Sequence, residues 1–131
     1  MMRFAFALPL LLAGCISMAD SPLPDGTAPA GDFVLVTLDG EAFAPTATLR
    51  FGPGEVISGI GPCNRWSARL AAPWPAFRPG PVTSTERACP DLRAENDFFL
   101  SLSIMTEARL DGDTLTLSSA QGITMVFRAA P

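Results

Sequence analysis

Helical periodicity occurs once in this chain, and that restricts the fold more than any other feature. Between residues 90 and 105, Leu92, Glu95, Phe98, Phe99, Leu102 and Met105 recur at helical spacing, with Phe98, Leu102 and Met105 on one face. Asp91, just after Pro90, is placed to cap this helix or to favour its dipole. Elsewhere the apolar runs are short and cut by Gly, Pro and Asp. Residues 33–38 form a β-branched, apolar run that stops at Asp39 and Gly40. Runs 47–51 and 55–60 face each other across Gly52, Pro53 and Gly54, and 65–70 and 82–85 read as further strands. Residues 108–110 and 114–117 flank Asp111-Gly112-Asp113, a hairpin turn signal, and 123–128 returns after Gln121-Gly122. Strands, one helix, then strands again predict an α+β fold, mainly β: a single antiparallel sheet or barrel-like domain with one packed helix. There is no internal repeat.

The N-terminus has a different character. An apolar run from Phe4 to Ala13 follows a lone basic residue, Arg3, and closes on Leu12-Ala13-Gly14-Cys15. The run is too short to cross a bilayer core of roughly 30 Å as a helix. Small residues before a cysteine, straight after a short apolar segment, resemble a bacterial lipobox. In proteins with that motif the preceding segment is removed and the cysteine is acylated. Residues 1–14 are therefore expected to be a lipoprotein signal peptide and Cys15 the lipidated residue, carrying palmitate among its acyl chains. Residues 15–31, rich in Pro, Ala, Ser and Gly, read as a flexible tether, and 32–131 as the domain.

Composition excludes several chemistries. The formal net charge is −4, and loss of Arg3 with the signal makes it more negative. Nucleic acid is thus an unsuitable partner, since it needs a basic stripe, and electrostatic adhesion to an anionic membrane is disfavoured. The partners expected are the membrane, through the N-terminal lipid, and an envelope protein or cell-wall ligand. All nine basic residues are Arg, and the chain has no His, Lys or Tyr. Without His the commonest general base and zinc ligand are missing. Without Lys there is no Schiff-base chemistry and no P-loop contact. No enzyme activity, cofactor or metal is expected.

Two segments carry the most specific signal. One is Ser58-Gly59-Ile60-Gly61-Pro62-Cys63-Asn64-Arg65-Trp66-Ser67; the other is Thr83-Ser84-Thr85-Glu86-Arg87-Ala88-Cys89-Pro90, followed by Glu95, Phe98 and Leu102 on the helix. Together they resemble the META domain family, whose bacterial members are called HslJ-like lipoproteins. There a G-x-G-G-C-N-R-[FW]-S-G segment precedes S-T-x-M-A-C, then E-x-x-F-x-x-x-L and a closing hairpin. Asn64, Arg65, Trp66 and Thr85 stand at the family's motif positions. Pro62 replaces the second glycine before the cysteine, Arg87 stands in the place of Met, Ala68 in that of Gly, and Phe33 in that of an opening Trp. The resemblance implies an envelope protein associated with stress and antibiotic tolerance, without a settled ligand. Ile16 after the cysteine, in place of the Asp linked to inner-membrane retention, points to the outer membrane facing the periplasm.

Several residues admit more than one role. Cys63 and Cys89 form an even pair once Cys15 is given to lipid, which favours a disulfide in an oxidising compartment. Two packed thiols are the alternative, with a redox pair or zinc site less favoured. Asn64 beside a turn ordinarily satisfies neighbouring backbone groups. Arg65 suits an ion pair with Glu86 or Glu95, or an anionic ligand. Glu95 suits the first turn of its helix. Four prolines hold residues 73–81 extended as an edge or loop. Its Trp74, Phe77 and Arg78 either fold inward as a lid over the core or form a binding surface for an envelope enzyme or cell-wall component. Asp111 and Asp113 read as turn chemistry rather than a cation site. A glycosidase-like hydrolase would need two converging carboxyl groups, which the sequence does not place together.

Overall fold

The computed structural model describes residues 26–131; residues 1–14, expected to be a signal peptide, and Cys15 lie outside the described residues. Nine strands and one α-helix follow in the order β1 (Asp32–Leu38), β2 (Glu41–Ala42), β3 (Thr48–Phe51), β4 (Val56–Ile60), β5 (Arg65–Arg69), β6 (Thr83–Ser84), α1 (Leu92–Ser103), β7 (Met105–Asp111), β8 (Thr114–Ser119) and β9 (Thr124–Ala129). They form one antiparallel sheet, ordered β6-β5-β4-β3-β1-β9-β8-β7 with β2 beside β1, curled into a half-barrel. The α+β, mainly β architecture is the expected one. Among the described residues no helix is long and apolar enough to cross a membrane.

Period-two alternation selects the buried face of each strand. Phe33 and Leu35 of β1, Trp66 and Ala68 of β5, Leu115 and Leu117 of β8, and Met125 and Phe127 of β9 all point into the core. The helix closes over them with Glu95, Phe98 and Leu102. Its Phe98 ring stands edge-on to Trp66, with centroids 5.7 Å apart. One bulge interrupts β1: Leu35 pairs with Phe127 but Thr37 with Val126, so Val36 has no partner across β9. The Val36 carbonyl instead accepts the Phe43 N–H at 2.9 Å.

The proline-rich segment joins the two ends of the sheet. On one side Phe77 N–H donates to the Thr106 carbonyl and Ala108 N–H to the Pro75 carbonyl, each at 3.0 Å. On the other, Ala71 N–H donates to the Arg78 carbonyl at 2.9 Å and Gly80 N–H to the Arg69 carbonyl at 2.8 Å. Proline cannot donate in such a ladder, and the segment's donors here are Phe77 and Gly80 and its acceptors the Pro75 and Arg78 carbonyls. The segment thereby covers part of the edges of β5 and β7 that the half-barrel leaves open.

Three differences from the sequence reading have local causes. The helix ends at Ser103, and Met105 is the first residue of a seven-residue β7, so the expected helix ran two residues too far and the expected strand 108–110 was too short. Met105 is buried in either setting, which is why its spacing fitted the helix. The two exposed residues of β2 carry no pattern from which to infer a strand. Finally, residues assigned to the tether already lie on the domain. Pro29 is buried, Ala28 packs against the core, and Gly26 N–H donates to the Trp74 carbonyl at 2.6 Å.

Candidate functional site

The motif residues converge where the β4–β5 turn meets the start of the helix. Glu95 sits in the first turn of α1, where its side chain turns inward. One carboxyl oxygen, Oε2, accepts the N–H groups of Cys63 at 2.8 Å and Asn64 at 2.7 Å. The other, Oε1, accepts Asn64 Nδ2 at 2.5 Å. Gly61 makes this approach feasible: a Cβ there would lie 2.7 Å from Glu95 Oε2. The Gly61 N–H closes the turn on the Asn64 carbonyl at 2.7 Å.

Asn64 extends the network to the segment after β6. Its Oδ1 accepts Thr85 Oγ1 at 2.9 Å and the Arg87 N–H at 2.6 Å, while Nδ2 also donates to the Arg87 carbonyl at 3.2 Å. Both amide hydrogens and both acceptor positions of the side chain are thus used. Thr85 and Arg65 exchange two further bonds: Thr85 N–H to the Arg65 carbonyl at 3.0 Å, and Arg65 N–H to Thr85 Oγ1 at 3.2 Å. The same two segments are bonded covalently, since Cys63 and Cys89 form a disulfide with Cα atoms 5.7 Å apart.

Two of the departures from the family pattern, Arg87 and Pro62, fall where the cluster draws on no side chain. Arg87 contributes only its backbone to the Asn64 cluster, so Met or Arg serves equally. The turn uses the N–H groups of Gly61, Cys63 and Asn64, and Pro62, between the first two, is asked for none. Trp66 is buried against Phe98 and Phe99, opposite Gly59. A Cβ on Gly59 would run into the Thr48 carbonyl. The Trp66 Nε1 is buried without a hydrogen-bond partner among the described residues.

Other candidates are placed differently from what the sequence allowed. Arg65 is exposed and Glu95 is taken by the turn, so the Arg65–Glu95 ion pair is not made. The aromatic surface at residues 74–78 is not there: Trp74 is 7 % exposed and Phe77 0 %, and of the three candidate side chains Arg78 alone faces solvent. Trp74 and Phe77 both pack edge-on against Phe51, so the inward lid is the arrangement adopted. Asp111 and Asp113 are exposed and pair with Arg109 at 3.0 Å and Arg128 at 3.9 Å. Among the described residues no group of three His, Cys, Asp or Glu side chains is placed to hold a metal. On the surface, Arg50 reaches Asp32 through two bonds, at 2.7 Å and 2.5 Å, which lower the Asp32 pKa below its ordinary 3.8.

The arrangement of turn, helix and disulfide agrees with an independent comparison: the family model described as the META domain matches residues 27–131. The chain belongs to the META domain family. Two solved structures share this META fold. An NMR structure of a protein from Burkholderia xenovorans superposes with a TM-score of 0.60 at 21 % identity, covering 92 % of this chain and 99 % of that one. A second NMR structure gives a TM-score of 0.58 at 22 % identity, covering 76 % of this chain and 88 % of the other. At such identities the likeness concerns the fold alone. No curated protein gives a significant match.

The feature that sequence reasoning undervalued in this META domain is Glu95. Its spacing with Phe98 and Leu102 puts it on the buried face of the helix, where an unpaired carboxyl group is costly. That position was the available sign of a partner. What it could not show was which backbone groups would be donors.

Proposed function

We propose that this protein is exported and anchored to the cell envelope by lipid at Cys15, and that its META domain acts there without catalysing a reaction. The observation carrying the first half is Leu12-Ala13-Gly14-Cys15 closing the apolar run behind Arg3. A lipidated cysteine normally bears several acyl chains, and two or more membrane signals are what stable anchoring takes. Ile16 favours an outer-membrane address facing the periplasm, and the family resemblance favours a part in envelope stress. The second half is supported by the motif cluster. Asn64 and Glu95 spend their bonding capacity on each other and on nearby backbone, which suits a clamp between segments better than acid–base chemistry.

Metabolic labelling with radioactive palmitate in a bacterial host tests the anchor. The wild type is expected to incorporate label and sediment with membranes, and Cys15→Ala to do neither. An unlabelled wild type, or a Cys15→Ala variant that keeps its label, would overturn the reading. Density-gradient separation of the two membranes then tests the outer-membrane address.

A further inference from the structure

Residues 26–30 form a strap that makes one wall of a cavity of about 550 Å³. Phe51, Leu70, Pro73 and Trp74 belong to the facing wall, where the Phe51 and Trp74 rings stand edge to face with centroids 5.5 Å apart. The two walls are held very differently. Phe51 ends β3, which pairs with β4, and Leu70 pairs with Pro79. Trp74 lies in the proline-rich segment that is bonded to both ends of the sheet. Arg69 donates to the Gly54 carbonyl at 3.1 Å and fixes the rim.

The strap has little to hold it. Among the described residues it makes one hydrogen bond, from the Gly26 N–H to the Trp74 carbonyl at 2.6 Å. Pro29 is buried but has no N–H to donate. Ala28 is half-buried, and Thr27 and Ala30 are exposed. Immediately beyond the strap the chain is firm again. Asp32 is gripped by Arg50 through two bonds, and β1 is flanked by β3 and β9. Between the weak stretch and the firm one stands Gly31, at φ 92° and with open space around it, a natural hinge position. Segments with so few bonds and buried contacts open far more often than the fold as a whole.

We propose that residues 26–30 are a detachable cover, which swings about Gly31 while the domain stays folded and thereby exposes the apolar wall of Phe51, Leu70 and Trp74. The wall is screened in the closed form and accessible in the open one. Residues before 26 continue from the strap's outer end, so a pull on them acts on the strap before it reaches β1. The cover itself does not depend on the lipid anchor at Cys15.

Hydrogen exchange of the full chain in a non-ionic maltoside, followed by NMR, tests the hinge. The Gly26 amide should show a protection factor at least about a hundredfold below that of Leu35, whose N–H is bonded to the Ala47 carbonyl in the strand that follows. Equal protection would mean that the strap opens only with the whole fold, and would overturn the proposal. Pro29→Asp tests the cover, since a charge at this buried position favours the lifted strap. In chain labelled with fluorotryptophan, a soluble gadolinium chelate should broaden the Trp74 fluorine resonance in Pro29→Asp more than in the wild type. The Trp66 resonance should stay sharp in both, and Tm should remain within about 4 °C of the wild type. A Trp74 resonance no more broadened than in the wild type, or a larger fall in Tm, would overturn the proposal.

Discussion

Replacing Asn64 separates the two parts of the motif cluster, its shape and its proton arrangement. In Asn64→Ala four side-chain hydrogen bonds disappear: to Glu95 Oε1, to the Arg87 carbonyl, from Arg87 N–H and from Thr85 Oγ1. At about 1 kcal/mol net each the loss approaches 4 kcal/mol. Thr85 and Arg87 are exposed, so water replaces part of it, and a loss of about 3 kcal/mol is expected. At about 4 °C per kcal/mol for a domain of this size, Tm falls by about 12 °C. Asn64→Asp keeps the shape and the Oδ1 acceptor but sets an oxygen against Glu95 Oε1, where Nδ2 now lies at 2.5 Å. Two carboxyl groups so close do not both ionise, and the folded pair retains a proton that the unfolded chain releases. With more protons bound in the folded state, stability falls as pH rises above the unfolded carboxyl value of about 4 and returns on acidification. Urea unfolding followed by Trp fluorescence, at about pH 7 and about pH 5, checks both variants against the wild type. Asn64→Asp should be the weaker variant at the higher pH and recover relative to wild type at the lower, and Asn64→Ala should not. The reasoning is refuted if Asn64→Ala lies within about 0.5 kcal/mol of wild type, or if Asn64→Asp tracks wild type at both pH values.

Gly59→Ala forces a methyl group against the Thr48 carbonyl, and calorimetry should show a loss of about 3 kcal/mol. Removing the disulfide as Cys63→Ala with Cys89→Ala releases a 26-residue closure; denaturation should register about 3.5 kcal/mol, and dithiothreitol should shift the wild type by as much while leaving the double variant unmoved. Trp74→Ala should cost about 3 kcal/mol or more, because the ring is packed rather than displayed; unchanged thermal stability would restore the docking surface. Arg50→Gln should return the Asp32 pKa toward 3.8 in an NMR titration. Because Arg50 lowers the folded-state pKa, the Asp32 contribution to stability is present above the unfolded value and lost as pH falls through the depressed one. The variant should therefore narrow the difference in acid sensitivity at that site.

How much of this was legible in the sequence depended on whether a residue's role is set by its neighbours in the chain or by distant ones. Alternation in β8 and β9 and the turn at Asp111-Gly112-Asp113 are local signals, and the hairpin follows them. The helix was legible for the same reason, up to Met105, whose burial serves helix and strand alike. The proline segment shows the limit. Its prolines excluded it from a central strand, but they could not show that Phe77 and Ala108 on one side, and Ala71 and Gly80 on the other, would make it a bridge between the sheet's two ends. Trp74 and Phe77 have the residue types of a binding surface, and a segment isolated from its tertiary context displays them; the bridge is what turns them inward. Glu95 is the converse case. A carboxyl group on the apolar face of a helix is a conflict when read locally, and it is resolved only by the N–H groups of a turn 31 and 32 residues away. The conflict was therefore visible and its resolution was not. It follows that, of the motif's polar letters, the strongest clue to this cluster was the misplaced one, the acidic residue that the helical pattern would have buried alone.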